Sequence, residues 1–243
     1  TWNNCGPASL SMCLSYYGSD LLQADVAALL HPDKDDKHVS IPELATFAQA
    51  QGFATVWRVN GDAETLRLLL SQGLPVIAPT WHVDGKDTGM GHYRLLTGYD
   101  DATHLFTGQD SFHGPNLTID YETFDKEWKI FNRVYLLVYR PEQEEALKSI
   151  LGEYWDPDAN RQHALDVAKA ETEANPSDAY AWFNLGSNHV YFGNYGEAAT
   201  AYDKAREVGL PQRMLRYQFG PFFAYFHSGQ MDDLMALTEY ALQ

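Results

Sequence analysis

Hydrophobic side chains recur with a helical period near the start of the chain. The first such series follows Cys5 and ends at Gly18; its members are Leu10, Cys13, Leu14 and Tyr17. The segment Ser40-Ile41-Pro42-Glu43 has the form of a capping box with a proline in the first turn, so a second helix should begin there. Asp62 should cap a third helix that runs through Leu70.

Strand-like apolar runs lie between these helices and, more often, after them. The runs bounded by turn-forming residues are 53–59, 75–81, 92–98, 104–107 and 133–140. They do not alternate regularly with helices, as the strands of a doubly wound parallel sheet do. The order therefore predicts an α+β domain with an antiparallel sheet.

The pattern changes at Pro141, after which no strand run remains. Residues 142–151, 161–174 and 179–192 have helical spacing. The residues that match the 34-residue tetratricopeptide (TPR) repeat in spacing are Trp182, Leu185, Gly186, Ala198, Tyr202 and Pro211. This stretch resembles that repeat, in which small residues let paired helices approach; the alternative is an unrelated helical bundle. We expect two domains, 1–140 and 141–243, the second all-α and TPR-like.

Charge and composition narrow the classes of function. The 17 Lys and Arg residues against 33 Asp and Glu residues give a formal charge of −16, which does not suit a nucleic-acid-binding protein. No run is long and apolar enough for a membrane segment, and two cysteines form no disulfide framework. The acid-rich segments 33–38 and 156–160 lack the glycine and glutamate of a calcium loop. Both are expected to be solvated loops, the second a turn in the linker region between the two halves. We expect no metal and no cofactor.

Cys5 is the first candidate for chemistry. It lies at the predicted first turn of a helix, where the helix dipole and free backbone N–H groups favour a thiolate. Gly6 next to it would let a substrate backbone come close. Cys13, in contrast, lies on the apolar stripe of the same helix and is expected to be buried and inert.

A nucleophilic thiolate needs a base, and His92 is the preferred one of nine histidines. If 92–98 and 103–110 form a hairpin that turns at Asp101, His92 faces Asp110, which could fix the tautomer of the imidazole. A turn half a residue earlier would place Gln109 there instead. His82 and His113 are rival bases without a carboxylate that such a hairpin would hold opposite them. Arg94 shares the sheet face of His92 and could bind a substrate carboxylate or, with slight preference, pair with an acidic side chain.

Three motifs occur in the order and at the spacing of a known family. They are Asn4-Cys5-Gly6-Pro7-Ala8-Ser9-Leu10, Gly91-His92-Tyr93 with Gly98-Tyr99-Asp100, and Gln109-Asp110-Ser111. Over residues 1–140 the chain resembles the C39-like cysteine peptidases, papain-fold relatives of the domain that trims double-glycine leader peptides in bacterial exporters. The resemblance implies a papain-like fold with Cys5 as nucleophile, His92 as general base and Asp110 as its orienting partner. The glutamine that usually completes the oxyanion hole in the family lies six residues before the cysteine, a position that here precedes Thr1. The Cys5 backbone N–H would be one donor to the oxyanion. Asn3 or Asn4 could be another, although the preferred role for either is to shape the turn into the helix.

These observations predict a cysteine peptidase that cleaves a peptide bond, with a helical domain that binds a protein or peptide. The same acyl-enzyme could serve an acyltransferase, and a catalytically idle peptide-binding scaffold is the alternative from another class. The expected partners are a peptide or protein substrate and a protein on the TPR-like domain, without nucleic acid. The compartment stays open; a bacterial, extracytoplasmic location is favoured if a signal or anchor lies upstream of Thr1.

Overall fold

The structure is a computed structural model that describes residues 4–31, 38–83 and 89–242. Asn3 and residues 33–37, on which two of the expectations above fall, lie outside the described residues. The chain divides into two compact units, one of Thr1–His82 with His92–Trp155 and the other of Val83–Gly91 with Asp156–Gln243.

A six-stranded antiparallel sheet forms the centre of the first unit and confirms the α+β prediction. Its strands are β1 (Ala54–Arg58), β2 (Val76–His82), β3 (Met90–Asp100), β4 (Leu105–Asp110), β5 (Gly114–Asp120) and β6 (Tyr135–Tyr139). They lie in the order β1-β6-β2-β3-β4-β5. Five of them correspond to the predicted runs, whereas β5 was not predicted.

Helices cover both faces of this sheet. In the first unit they are α1 (Cys5–Tyr16), α2 (Gln23–Leu30), α3 (Ile41–Ala50), α4 (Ala63–Ser71), α5 (Tyr121–Lys129) and α6 (Glu144–Leu151). Successive residues of β6 point to opposite faces, so Leu136 packs with α1 and α3 while Leu137 packs with α4, α5 and α6. All five residues of β6 are buried for this reason.

Local capping explains where the predicted helices begin. Ser40 Oγ accepts the Glu43 N–H at 3.4 Å, and the Glu43 carboxylate accepts the Ser40 N–H at 2.7 Å. Asp62 accepts the Thr65 N–H at 2.8 Å. Both starts are confirmed, because an oxygen at the cap satisfies N–H groups that have no partner inside the helix.

The border between the units falls later than the sequence pattern places it. Leu147 and Leu151 of α6 are buried in the same core as Leu66 and Leu69 of α4. The apolar stripe of α6 therefore belongs to the first unit, and the second begins at Asp156 rather than at Pro141. Asp156 itself caps a helix by accepting the N–H groups of Asp158 and Ala159, so the acid-rich segment there is a helix start and not a loop. The segment does lie at the border between the units, as the expected linker-region turn would.

From Asp156 to the last described residue, 242, all regular secondary structure of the second unit is helical. Its helices are α7 (Pro157–Ala174), α8 (Ala179–Tyr191), α9 (Tyr195–Val208), α10 (Gly220–His227) and α11 (Met231–Ala241). The ring of Tyr202 on α9 is fully buried against α8, and its hydroxyl lies 3.1 Å from Ser187 Oγ. Gly186 leaves the space that this ring occupies.

We expect Gly186→Ala to destabilise the second unit. A Cβ atom at that position would lie 2.8 Å from Cε1 of the Tyr202 ring, so a buried aromatic side chain would have to move. Overpacking of this kind costs about 1–3 kcal/mol. The matched control is Gly196→Ala on α9, where a Cβ would meet no atom within 4 Å, and which should gain up to about 1 kcal/mol from helix propensity. Urea unfolding of both variants gives the comparison, and equal midpoints would contradict the packing argument.

Candidate active site

Cys5 is the first residue of α1, as the sequence pattern predicts. The helix is tied to β3 by Ser9 Oγ, which donates to the Tyr93 carbonyl at 3.3 Å. Gly6 does not face open space: a Cβ there would lie 3.3 Å from the Tyr93 ring. The expectation that Gly6 makes room for a substrate backbone is therefore replaced by close packing of α1 on Tyr93, which holds Cys5 beside His92.

The hairpin of β3 and β4 has a different register from the predicted one. Residues 101–104 form the turn, closed by the pair Asp100 and Leu105, and a bulge at Thr97 then shifts the pairing to Leu95 opposite Gln109. Continued by one residue, this register places Asp110 opposite Arg94 rather than opposite His92. The prediction was wrong because it assumed a shorter turn without a bulge.

The bulge nevertheless puts Asp110 on the correct side of the sheet. With the register that holds at the turn, Asp110 would face Leu95, whose side chain points away from His92 and Arg94. One extra residue at Thr97 reverses that facing, because a slip of one position moves every side chain to the opposite face. Asp110 therefore reaches His92 diagonally, across one residue of β3.

The structure brings the three predicted side chains together. His92 Nε2 lies 3.0 Å from Asp110 Oδ1, with the ring N–H bent away from the direct line to the oxygen. Such imperfect alignment is common in unliganded sites. The side chains of His92 and Asp110 are 7% and 1% exposed. The thiol of Cys5 hydrogen-bonds to the same imidazole, whose Nδ1 is the nitrogen that remains for it.

The ionisation of Cys5 and His92 is coupled. Burial disfavours the thiolate, but the hydrogen bond and positive charge of His92, with the backbone N–H groups of Tyr93 and Gly6, outweigh it and lower the pKa of Cys5. Burial also disfavours the imidazolium, yet hydrogen bonds to Asp110 and Cys5 raise the pKa of His92 to about 9. The arrangement thus favours a thiolate and imidazolium pair near neutral pH.

Asp110 is held as a carboxylate. Its Oδ1 also accepts the backbone N–H groups of Phe112 at 2.7 Å and His113 at 2.9 Å. Burial would raise the pKa of this side chain, but the hydrogen bond and charge of His92 and the two N–H groups keep it well below its usual range. A carboxylate that stays ionised can orient His92 and stabilise its charged form.

The two rival histidines lie in the same cluster. The ring of His82 is 5.7 Å from that of His92 and 4.9 Å from that of His113. Burial, followed by the charges of His92, His113 and Arg94, lowers the pKa of His82. His82 is therefore suited to stay neutral beside His92. Of the three imidazoles in this cluster, His92 is the one that has the Asp110 carboxylate at 3.0 Å.

Arg94 pairs with protein carboxylates, as the preferred interpretation of the sequence expected. Its Nε donates to Asp110 Oδ2 at 3.1 Å, and Nη1 donates to Glu127 on α5. Glu127 was missed because α5 was not predicted. A signal for α5 exists in the sequence: Asp120 accepts the Thr123 N–H as a helix cap, and Phe124 and Trp128 follow four residues apart on a buried stripe.

Asn4 precedes α1 without a side-chain cap hydrogen bond, and Asn3 lies outside the described residues. No group of three or more His, Cys, Asp or Glu side chains in the described part of the chain is arranged to hold a metal ion. Searching the same residues for a helix long and apolar enough to cross a membrane finds none.

Known proteins show which family the chain belongs to. No curated protein sequence matches the chain. One solved structure, of a protein assigned as a C39-like peptidase from Bacillus anthracis, aligns with a TM-score of 0.46 and 16% identity, covering 57% of this chain and 89% of that chain. A profile of the Peptidase_C39-like family matches residues 1–136, more than half of the 243 residues. The chain therefore belongs to the Peptidase_C39-like family.

Proposed function

We propose that this protein is a cysteine peptidase that hydrolyses a peptide bond through Cys5, His92 and Asp110. The Cys5 thiolate attacks the carbonyl carbon and forms a tetrahedral intermediate, and the Cys5 backbone N–H contributes to binding of its oxyanion. His92 then gives its proton to the leaving amine as the C–N bond breaks. Water, deprotonated by His92, attacks the thioester and releases the carboxylic acid and the free thiol.

One observation carries the proposal: His92 contacts a thiol at a helix start and a buried carboxylate at the same time. In a buried cysteine with only a structural role, the thiol pKa is raised rather than lowered. Cys13 is an example in the same helix, since burial alone raises its pKa to about 12. Family membership supports a peptidase-like fold over residues 1–136, the range in which all three residues lie.

The pH dependence should separate the two roles of the pair. We expect alkylation of Cys5 by iodoacetamide to rise through a pKa below the roughly 8.5 of a free thiol. Peptide hydrolysis should rise over the same range and then fall as His92 loses its proton near pH 9, because the leaving amine then lacks a proton donor. Alkylation needs no such donor and should not fall there.

Both profiles can be measured on one preparation, with mass spectrometry to locate the label and a mixed peptide library as substrate. Alkylation of Cys5 with an ordinary thiol pKa, and no hydrolysis, would instead support a catalytically idle peptide-binding protein. Products that incorporate an added amine would identify acyl transfer.

We also propose that the second unit is a TPR-like module that binds a protein or peptide. Support comes from the agreement between the repeat spacing and the packing, in which Gly186 and Ala198 are buried where α8 meets α9 and Tyr202 fills the space above Gly186. Stacked helical pairs present a concave surface on which a peptide can lie.

A further inference from the structure

Two charged residues beside the proposed triad have no place in the mechanism above. Arg94 lies two residues after His92 on the same strand, and Glu127 lies on α5. We propose that Arg94 is a positioning residue that holds the Asp110 carboxylate against His92, and that Glu127 moderates its positive charge. The inference rests on the proposed function for its role in catalysis, while the contacts that carry it are independent of any substrate.

The contacts divide the two oxygens of Asp110. Oδ1 lies next to His92 Nε2 and accepts the backbone N–H groups of Phe112 and His113. Oδ2 receives Arg94 Nε at 3.1 Å. Removing Arg94 would leave Oδ2 without this donor in a side chain that is 1% exposed, and the carboxylate could then rotate away from the imidazole.

Burial makes the charge of Arg94 effective. Its side chain is 5% exposed, and a guanidinium is stable in such a place only when carboxylates pair with it. Asp110 and Glu127 supply two, each through a different nitrogen, which the planar fork of arginine permits and a lysine ammonium does not reproduce. The charges therefore alternate from Glu127 through Arg94, Asp110 and His92 to Cys5.

This alternation gives the two residues opposite effects on Cys5. The cation of Arg94 favours the thiolate, so its loss should raise the pKa of Cys5. The anion of Glu127 disfavours the thiolate, and its loss should lower that pKa. A merely structural role would not predict shifts of opposite sign.

Several other ionisable groups face this cluster and remain unchanged in the test. His82 approaches from β2 and His113 from the turn after β4. The partly buried Tyr93 of β3 lies beside Cys5, with Glu43 of α3 near it. Because all the variants below retain these groups, differences between the variants report on Arg94 and Glu127.

The test measures the rate of Cys5 alkylation against pH in the full chain for Arg94→Met, Arg94→Lys and Glu127→Gln. We expect Arg94→Met to shift the midpoint upward and Glu127→Gln to shift it downward, each by about half a pH unit or more. Arg94→Lys should fall between Arg94→Met and the parent. Circular dichroism shows whether each variant folds, and the partly exposed Glu127 can be changed even if Arg94→Met does not fold.

Matched controls come from a second ion pair, whose acidic member lies on the same helix as Glu127. Arg133 pairs with Asp125 on α5 at 2.6 Å, so Arg133→Met and Asp125→Asn make the same charge changes in an ion pair outside the cluster. Neither should move the midpoint. Absence of shifts in Arg94→Met and Glu127→Gln, or shifts of the same sign, would overturn the inference. An ordinary thiol pKa in the parent would overturn the proposed function instead, while the signs of the two shifts would still decide the role of Arg94.

Discussion

Cys5→Ala is expected to abolish peptide hydrolysis, with a loss of at least about 10⁴-fold in kcat. The Cys5 sulfur is the atom that attacks the substrate in the proposed mechanism, and no second thiol can replace it. Cys13 is fully buried, and burial raises its pKa to about 12, so it is neither accessible nor ionised near neutral pH. Turnover of a peptide library and iodoacetamide labelling at mildly acidic pH are the two measurements.

Cys13→Ala is the control for this experiment. It removes a thiol from the same helix, should leave both labelling and turnover unchanged, and should lower stability modestly because it leaves a small cavity in the core that contains Leu10 and Leu14. Labelling that persists on Cys13 in the Cys5→Ala variant would show that the nucleophile is misassigned.

His92→Gln should reduce kcat by about 10³-fold or more, because the proton donor to the leaving amine disappears. The thiol loses its hydrogen bond and its positive neighbour at the same time. The N–H groups of Tyr93 and Gly6 still oppose the effect of burial, but the larger contribution of His92 is lost, and the pKa of Cys5 should rise. We therefore expect labelling at pH 6 to be lost together with activity.

His82→Gln is the comparison that distinguishes neighbouring imidazoles. His82 lies in the same cluster but without the short carboxylate contact, so its loss should change kcat by less than about tenfold, since it transfers no proton in the proposed mechanism. If His82→Gln lost as much activity as His92→Gln, the assignment of the base to His92 would have to be abandoned.

The helices that begin with a strong cap could be predicted from the sequence. Ser40 and Asp62 mark their helices because a side-chain oxygen bonds an N–H only three residues away. Strands with continuous apolar runs, such as β6, were also predicted, since burial on both faces leaves a clear pattern. Elements that depend on interactions between residues close together in the chain can therefore be predicted from the local sequence.

Register was not predictable in the same way. The position of Asp110 depends on the length of the turn at 101–104 and on the bulge at Thr97, and neither follows from the hydrophobic pattern. The predicted register paired Asp110 with His92, whereas the observed one places it opposite Arg94. The two registers differ by two residues, so Asp110 stays on the same face of the sheet as His92. Glu127 was not predicted at all, because its contact with Arg94 depends on where α5 packs.

The sequence by itself determined which residues could do chemistry: a thiol at a helix start, and an imidazole and a carboxylate on neighbouring strands. It could do so because helix capping and strand periodicity depend on residues only a few positions apart. The tertiary structure decided that these groups meet and that α6 packs with the first unit. It also decided that Arg94 and Glu127 lie next to Asp110, so that charges of opposite sign alternate from Glu127 to Cys5. The physical reason is that pKa values and ion pairs depend on distances and burial between segments far apart in the chain, which exist only once the sheet has been assembled.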